Sequence, residues 1–108
     1  MNTRKKGAIG EKKAVEYLIS AGYKIIDTNV YTKLGEIDII AKKDDVYHFI
    51  EVKSGKSFEP IYNITPKKLK RVINSAMLYM KQKGINPVFC IDAIVVKDEV
   101  DHFVNITF

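Results

Sequence analysis

The segment Gly35–Ser54, GEIDIIAKKDDVYHFIEVKS, contains two apolar runs separated by a pair of aspartates. Both runs are rich in β-branched and aromatic residues, which favour strands, and the two aspartates between them are a turn signal. The segment therefore predicts an antiparallel hairpin with the two-residue loop Asp44 and Asp45. Charged residues nevertheless stand inside both strands, near the end that is far from the turn.

The predicted register brings these charged residues together. A two-residue loop places Asp38 directly opposite Glu51, and Glu36 opposite Lys53, on one face of the hairpin. Facing carboxylates about 5 Å apart destabilise a sheet by up to roughly 1 kcal/mol unless they share a proton or a cation. Because the donors are hard oxygens without a nearby His or Cys, we expect Mg²⁺ or Mn²⁺ rather than zinc. Lys53 would then position the attacking water or stabilise charge that develops on a phosphorus centre.

A simpler interpretation is that these are solvent-facing charges on a half-exposed hairpin, with Glu36 and Lys53 forming a surface ion pair. The apolar character of both strands argues against it, because it predicts that the hairpin is covered on both sides. We assign one face to Ile37, Ile39, Ile50 and Val52, and the other to Ile40 and Phe49. Carboxylates in such covered strands require a partner.

Two helices are predicted around the strands. The first lies within RKKGAIGEKKAVEYLISAGYK and ends at a glycine cap, Gly22. The second begins at Thr65 as N-cap with Pro66 in the first helical position, and Gly84 ends it. The apolar residues at helical spacing are Ile9, Ala14, Val15, Leu18 and Ile19 in the first helix, and Leu69, Val72, Ile73, Ala76, Met77 and Met80 in the second.

Further strands are predicted over residues 23–32, 86–96 and 100–108. The order is therefore α-β-β-β-α-β-β, which predicts an α/β fold with a mixed central sheet flanked by helices. A chain of 108 residues is expected to form a single domain over residues 1–108.

Composition narrows the class of protein. The only cysteine is Cys90, which excludes a disulfide framework and a Cys-rich zinc site. The N-terminus lacks the apolar region of a signal peptide, and no stretch approaches the roughly 20 apolar residues of a membrane span, so we expect a cytoplasmic protein without a membrane partner.

The 18 Lys and Arg against 13 Asp and Glu favour a polyanionic partner. Only two of these 18 basic residues are arginines, which are the residues that read base edges with paired hydrogen bonds. Lysine acts as a point charge, so we expect contacts to phosphates rather than to base edges.

A basic cluster opens the second predicted helix and consists of Lys67, Lys68, Lys70 and Arg71. Lys68 and Arg71 are one turn apart, so they would form a phosphate clamp, with residues 1–6 as a mobile basic arm. An ordinary solvated helix face remains the alternative.

We interpret His48 and His102 as ordinary sheet histidines, and no Ser-His-Asp set, P-loop or dinucleotide-binding glycine pattern is present.

The arrangement GEIDII…FIEVK resembles the PD-(D/E)XK nuclease superfamily, in which an Asp on one strand and an E-x-K on the next form the metal site. The likeness extends from KKGAIGEKKAVEYLISAGYKII through KKLKRVINSAMLYM to CIDAIVV and HFVNITF. Over nearly the whole chain the sequence is similar to the YraN family of uncharacterised endonuclease-like proteins. Their restriction-endonuclease-like fold is similar to that of archaeal Holliday-junction resolvases.

This resemblance assigns roles to individual residues. It implies Asp38 and Glu51 as metal ligands, Lys53 as the catalytic lysine and Glu11 as the outer acidic residue of the site, with Glu36 supporting the ligands. The alternative for Glu11 is an ordinary first-turn glutamate favoured by the helix dipole. The sequence departs from the family at two pairs of positions where relatives often carry an arginine, Ser54-Gly55 and Cys90-Ile91, but it retains the Asn29 of an Asn-containing family segment.

The resemblance implies a Mg²⁺-dependent endonuclease that hydrolyses nucleic-acid phosphodiester bonds, with branched DNA such as a Holliday junction as substrate. A resolvase-like role would favour a homodimer, because a four-way junction needs two cuts. The alternative is a catalytically silent nucleic-acid-binding or protein-interaction module on the same fold. A third, less favoured hypothesis is a purely structural partner protein without affinity for metal or nucleic acid.

Overall fold

The computed structural model describes residues 3–54 and 64–107, with side chains from residue 9 onward. Within these residues the elements follow the predicted order α-β-β-β-α-β-β. They are α1 (Thr3–Ser20), β1 (Lys24–Thr32), β2 (Gly35–Lys43), β3 (Val46–Ser54), α2 (Pro66–Lys83), β4 (Val88–Val96) and β5 (Val100–Phe103).

The strands form a five-stranded sheet in the order β1-β2-β3-β4-β5. β3 and β4 run parallel, and the other neighbours run antiparallel. Parallel neighbours need a long crossover connection, and α2 lies in the one between β3 and β4. The predicted α/β fold with a mixed, helix-flanked sheet is therefore confirmed, and it is consistent with a nuclease-like architecture.

The hairpin of β2 and β3 has the predicted loop. Asp44 and Asp45 both have positive φ angles, 52° and 63°, as a type I′ turn requires. Lys43 pairs with Val46 on either side of them. Aspartate tolerates this left-handed region better than β-branched residues do, so the turn sequence sets the hairpin register.

Both helices end at the predicted glycines. Gly22 and Gly84 adopt left-handed φ angles of 91° and 66°. After α1, the Tyr23 N–H donates to the Leu18 carbonyl at 2.9 Å, which completes a Schellman motif. The hydroxyl of Thr65 caps the start of α2.

Apolar layers cover both faces of the sheet, as predicted. The layer under α2 contains Ile37, Ile40, Phe49, Val72, Ala76, Tyr79, Met80 and Ile91. The layer under α1 contains Ala14, Leu18, Ile39, Ala41, Ile50, Ile94 and Val96. The charged residues of the hairpin therefore lie in strands that are buried on both sides.

Some of the apolar residues at helical spacing are not buried. Met77 is 56% exposed, while Ser75 and Tyr79 are buried in its place. Successive helical residues are rotated by about 100°, so Met77 lies beyond the edge of a stripe centred between Val72 and Tyr79. Ile9 and Ile19, which share the helical spacing of the apolar residues of α1, are also exposed, for 53% and 60% of their surfaces.

The strict alternation of β2 breaks at its charged end. Ile37 packs in the α2 layer, whereas Ile39 packs in the α1 layer, so the prediction that both share one face was wrong. On the neighbouring strand, Asn29 has a φ of 51° between two register pairs that contain these isoleucines. The β1–β2 register has no pair at Asn29 and Asp38, and Ile37, beyond this gap, packs in the α2 layer.

The final strand is shorter than predicted. β5 ends at Phe103 instead of continuing to residue 108. Asn105 follows with a φ of 56°, and the Ile106 N–H donates to the Ile91 carbonyl at 2.8 Å, so a turn replaces the ladder. Residue 108 itself lies outside the described residues.

At the other terminus, α1 begins at Thr3, so residues 3–6 of the predicted basic arm belong to the helix. Residues 1 and 2, and the side chains of residues 3–8, lie outside the part that the structure describes. Neither helix of the described part combines the length and the apolar character needed to span a membrane.

Candidate active site

The candidate site lies where the ladder between β2 and β3 ends. Ile39 and Ile50 form the last register pair. Beyond them, the Val52 N–H donates to Oδ2 of Asp38 at 2.8 Å, so a carboxylate takes the place of a backbone partner. The two strands separate here, and Asp38 lies in the gap.

Glu51 and Lys53 point to the same side of β3, as predicted. Lys53 Nζ lies 3.4 Å from Oε1 of Glu51, and the two side chains are 24% and 22% exposed. Among the described side chains the ion pair of Lys53 is with Glu51, so the surface pair of Lys53 with Glu36 does not form. Glu36 is exposed at the rim of the site.

Burial and mutual repulsion perturb the two strand carboxyls. Burial raises the pKa of Asp38 to about 7, and the charge of Glu51 contributes, while the Val52 N–H and Lys53 oppose the shift. Burial also raises the pKa of Glu51, against the effect of Lys53. Both groups therefore bind a proton more tightly than a free carboxyl, and a bound cation would relieve the same conflict.

Glu11 reaches this site from α1. A Cβ at Gly10 would lie 3.2 Å from Oγ of Ser54, so the glycine allows the helix to approach the end of β3 closely. Burial raises the pKa of Glu11, and the charge of Asp38 adds to the effect. α1 begins at Thr3 and has no acidic residue in its first turn, so the first-turn explanation of Glu11 was wrong.

Asn29 holds Glu11 in place, which the sequence did not reveal. Its Nδ2 donates to Oε1 of Glu11 at 2.7 Å. The positive φ of Asn29, which Asn tolerates better than most residues, is part of this geometry. The only signal in the sequence was that an asparagine is retained in a segment that otherwise departs from the family pattern.

An open cleft of about 970 Å³ adjoins these groups. Its walls are Glu11, Lys12, Val15, Thr28, Asn29, Tyr31, Glu36, Asp38, Val52 and Ser54. Glu51 and Lys53 are not among the walls, although both side chains remain partly exposed. Asp38 therefore lines the cleft beside Glu36, and the charge of Glu51 acts on it from outside the walls.

The basic cluster occupies the first turns of α2, and all four side chains are exposed. The charge of Lys68 lowers the pKa of Glu51, against the larger effect of burial. Arg71 packs beside Gly35, whose Cβ would lie 3.9 Å from that of Arg71. These two residues therefore face the strands of the site, whereas the contacts of the described residues do not connect Lys67 or Lys70 to it.

The position of this cluster is unfavourable for the helix itself. The N-terminus of a helix carries a partial positive charge, and α2 has no acidic residue in its first turn to balance it. Four cations in the first two turns therefore add to the dipole. Together they form a positive surface suited to an anion such as a phosphate.

Comparison with known proteins identifies the family. The sequence model of the uncharacterised protein family UPF0102, the YraN family, matches residues 10–96. A UPF0102 protein of Wolinella succinogenes is 57% identical over 106 residues, which cover 97% of this chain and 98% of that protein. UPF0102 proteins of Helicobacter pylori strain HPAG1 and of a Sulfurovum species are 50% and 52% identical, cover 97% and 94% of this chain, and are themselves covered to 93% and 92%. The chain belongs to the UPF0102 family, whose name carries no function.

Proposed function

We propose that this protein is a metal-dependent endonuclease that hydrolyses phosphodiester bonds of nucleic acid. The observation that carries the proposal is the convergence of Asp38 and Glu51 with Lys53 where β2 and β3 separate. Burial raises the pKa of both carboxyls, yet Asp38 lines an open cleft and the Glu51 side chain remains partly exposed. A purely structural pair of carboxylates would not need access to solvent.

The donor chemistry fits Mg²⁺ or Mn²⁺. Asp38 and Glu51 would hold the ion and Glu11 would support it, because all three offer carboxylate oxygens and lie close enough for their charges to interact. When bound, such an ion supplies Lewis-acid stabilisation of a phosphate oxygen and lowers the pKa of a water molecule. Glu36 adds negative charge at the rim.

The remaining steps belong to the chain's own residues. Lys53, held by Glu51, would orient the attacking water and stabilise negative charge that develops on the phosphate. Lys68 and Arg71 would bind backbone phosphates beside the site, and Lys67 and Lys70 would extend the positive surface. Asn29 would keep the Glu11 carboxylate directed toward Asp38.

The finer assignments form part of the same proposal. DNA is the proposed substrate, in a branched form such as a four-way junction, and cutting both strands of a junction would require a homodimer. The proposed compartment is the cytoplasm, where a reduced Cys90 is expected.

A cleavage screen tests the activity. The full chain is incubated with branched, duplex and single-stranded DNA and RNA, with Mg²⁺, Mn²⁺ or EDTA. We expect metal-dependent cutting that Asp38→Ala abolishes and that Asp45→Asn leaves intact, because Asp45 is an exposed carboxylate at the hairpin turn and asparagine tolerates its positive φ angle. Equal cutting by wild type and Asp38→Ala would identify a contaminating nuclease and contradict the proposal.

The second candidate is a binding module without turnover, favoured by the exposed cluster on α2. It predicts salt-sensitive nucleic-acid binding by wild type and by Asp38→Ala, without metal-dependent cleavage of any substrate in the screen. The screen therefore separates the two functions when each sample is also assayed for binding.

A further inference from the structure

A second polar cluster lies under α1 and is not used by the proposed nuclease site. Oδ2 of Asp92 lies 2.7 Å from Nδ1 of His48 and 2.7 Å from Nε2 of His102. Sγ of Cys90 lies 3.2 Å from both Oδ1 of Asp92 and Nδ1 of His48. Three adjacent strands, β3, β4 and β5, supply these side chains. His48 precedes Glu51 by three residues, roughly 10 Å along β3, and points to the opposite face.

The cluster is closed to solvent. Asp92 is fully buried, His48 and Cys90 are 7% and 8% exposed, and the His102 side chain is 5% exposed. Burial alone would raise the pKa of Asp92, but hydrogen bonds from the two histidines and from the Asn105 N–H outweigh it and hold the pKa well below its usual range. Oxygen, nitrogen and sulfur donors are thus gathered at one buried point of the fold.

The donor set is that of a borderline-soft metal ion. It combines a thiol sulfur, imidazole nitrogens and one carboxylate, whereas Mg²⁺ prefers oxygen alone. The ligand atoms of His48, Cys90 and Asp92 all lie within 4.8 Å of one another. A thiolate and a carboxylate together balance a divalent charge, so the loaded site would be electrically neutral in the core.

A tetrahedral ion requires a small rearrangement. Its ligand atoms would lie roughly 3.3–3.7 Å apart, given the usual zinc bond lengths, so the two imidazoles must withdraw from Asp92 by less than about 1 Å. His102 belongs to β5, a four-residue edge strand, and can adjust at low cost. A ligating histidine is usually oriented by a hydrogen bond at its other ring nitrogen, and His102 already has this partner. The hydroxyl of Tyr17 lies 3.0 Å from its Nδ1, so Nε2 is directed toward the cluster.

We propose that His48, Cys90 and Asp92, completed by His102, bind a Zn²⁺-class ion that joins the three C-terminal strands of the sheet. Entry of the ion releases the thiol proton of Cys90 to solvent. Each neutral imidazole keeps one proton, on the ring nitrogen that faces away from the ion, and for His102 that proton is donated to the oxygen of Tyr17. In the metal-free state burial, with a hydrogen bond to Asp92, raises the pKa of Cys90 to about 12, so the residue is then a thiol.

Cobalt provides a direct spectroscopic test. Metal-stripped full-length protein is titrated with Co²⁺, which takes zinc sites and reports a thiolate ligand by a charge-transfer band in the near ultraviolet. We expect this band with tetrahedral visible absorption at one equivalent, and its loss on addition of one equivalent of Zn²⁺. Absence of the charge-transfer band in wild type would overturn the proposal and leave the cluster as a hydrogen-bonded network.

Matched variants assign the ligands. Cys90→Ser should remove the charge-transfer band, His48→Gln should weaken Co²⁺ binding about 100-fold or more, and Tyr17→Phe should weaken it roughly 10-fold with the band retained. Asp38→Ala, in the other site, should retain the thiolate charge-transfer band on addition of Co²⁺. A band that survives Cys90→Ser, or one that Asp38→Ala abolishes, would overturn the assignment. The wild-type titration decides the matter even where a variant fails to fold, and no readout depends on nuclease activity.

Discussion

Asp38 connects the parts of the candidate active site at the level of a single side chain. Its carboxylate accepts the Val52 N–H, experiences the charge of Glu51 and in turn acts on Glu11. One residue therefore ends the ladder of the hairpin and couples it electrostatically to α1. Changes at this position should affect stability and metal affinity together.

The raised pKa of Asp38 predicts a pH-dependent stability in the absence of divalent metal. The folded-state pKa is about 7 against a reference of 3.8, so the folded protein binds the extra proton between these values. The contribution of protonated Asp38 to the free energy of unfolding is therefore fully present below about pH 4, and it is lost as the pH rises through 7. Asp38→Asn keeps the size and an acceptor for Val52, so in EDTA at pH 8 it should be about 2 kcal/mol more stable than wild type.

Urea unfolding of both proteins from pH 4 to pH 8 measures this difference, which should shrink to nothing at the acid end. Asp45→Asn is the control. The Asp45 side chain is 99% exposed, so this change should leave the free energy of unfolding the same as in wild type, both at pH 4 and at pH 8. A constant difference between wild type and Asp38→Asn across this range would show that Asp38 titrates normally.

Lys53 separates catalysis from binding. Lys53→Met removes the charge but keeps much of the stem, so the fold should survive. If the ammonium orients water and stabilises developing charge, turnover of the cleaved substrate should fall about 10²-fold or more, while nucleic-acid affinity barely changes. Single-turnover cleavage and equilibrium binding measure the two quantities, with Lys42→Met near the hairpin turn as control. Unchanged turnover in Lys53→Met would remove the lysine from the catalytic mechanism.

The helix α2 carries two separate functions on its surface. One stripe packs on the sheet through residues such as Val72, Ala76 and Met80, while the first turns present the basic cluster to solvent. Packing sets the orientation of the stripe and therefore also directs Lys68 and Arg71 toward the strands of the site. The rotation of α2 about its axis decides which of its methionines are buried, so their burial indicates how the helix is oriented on the sheet.

Two methionines one turn apart on α2 test the observed packing. Met80 is 8% exposed in the core layer and Met77 is 56% exposed. Met80→Ala should lower the free energy of unfolding by about 2 kcal/mol or more, because it leaves a cavity. Met77→Ala should change it by no more than about 0.5 kcal/mol. Chemical denaturation measures both, and equal losses would indicate that the helix is rotated from its observed orientation.

Charge is distributed unevenly over the molecule as a whole. The net charge is +5, yet acidic residues gather at the candidate site and the basic cluster lies on the adjoining turns of α2. A polyanion would thus be held beside the carboxylates by neighbouring cations, while a bound metal ion would neutralise the carboxylates themselves. This arrangement makes binding dependent on ionic strength.

Salt dependence locates the binding surface. The logarithm of nucleic-acid affinity should fall linearly with the logarithm of salt concentration, and Lys68→Ala with Arg71→Ala should reduce the slope by about 1–2. Lys81→Ala with Lys83→Ala, two exposed cations in the last turn of the same helix, is the matched control and should reduce it less. Equal effects of the two pairs would indicate that the cluster is an ordinary solvated face.

Local physics made much of this protein predictable. The turn chemistry of Asp44 and Asp45 sets the hairpin loop, and the alternation of side chains along a strand places Glu51 and Lys53 on one side of β3. Caps such as Thr65 and Gly84 mark helix ends because the groups involved are close in sequence. The order of elements and the positions of the strand charges were therefore readable without a structure.

Contacts between distant segments decided the rest. The bond from Asn29 to Glu11, the packing of Ile37 in the α2 layer, and the buried cluster around Asp92 each depend on how elements pack together. In the sequence, His48 and His102 are isolated residues 54 positions apart (102 − 48 = 54), and only the pairing of β3, β4 and β5 brings both to one carboxylate. Periodicity specifies which face a side chain occupies, but the partner it meets there depends on long-range packing, which a single sequence does not encode in any local pattern.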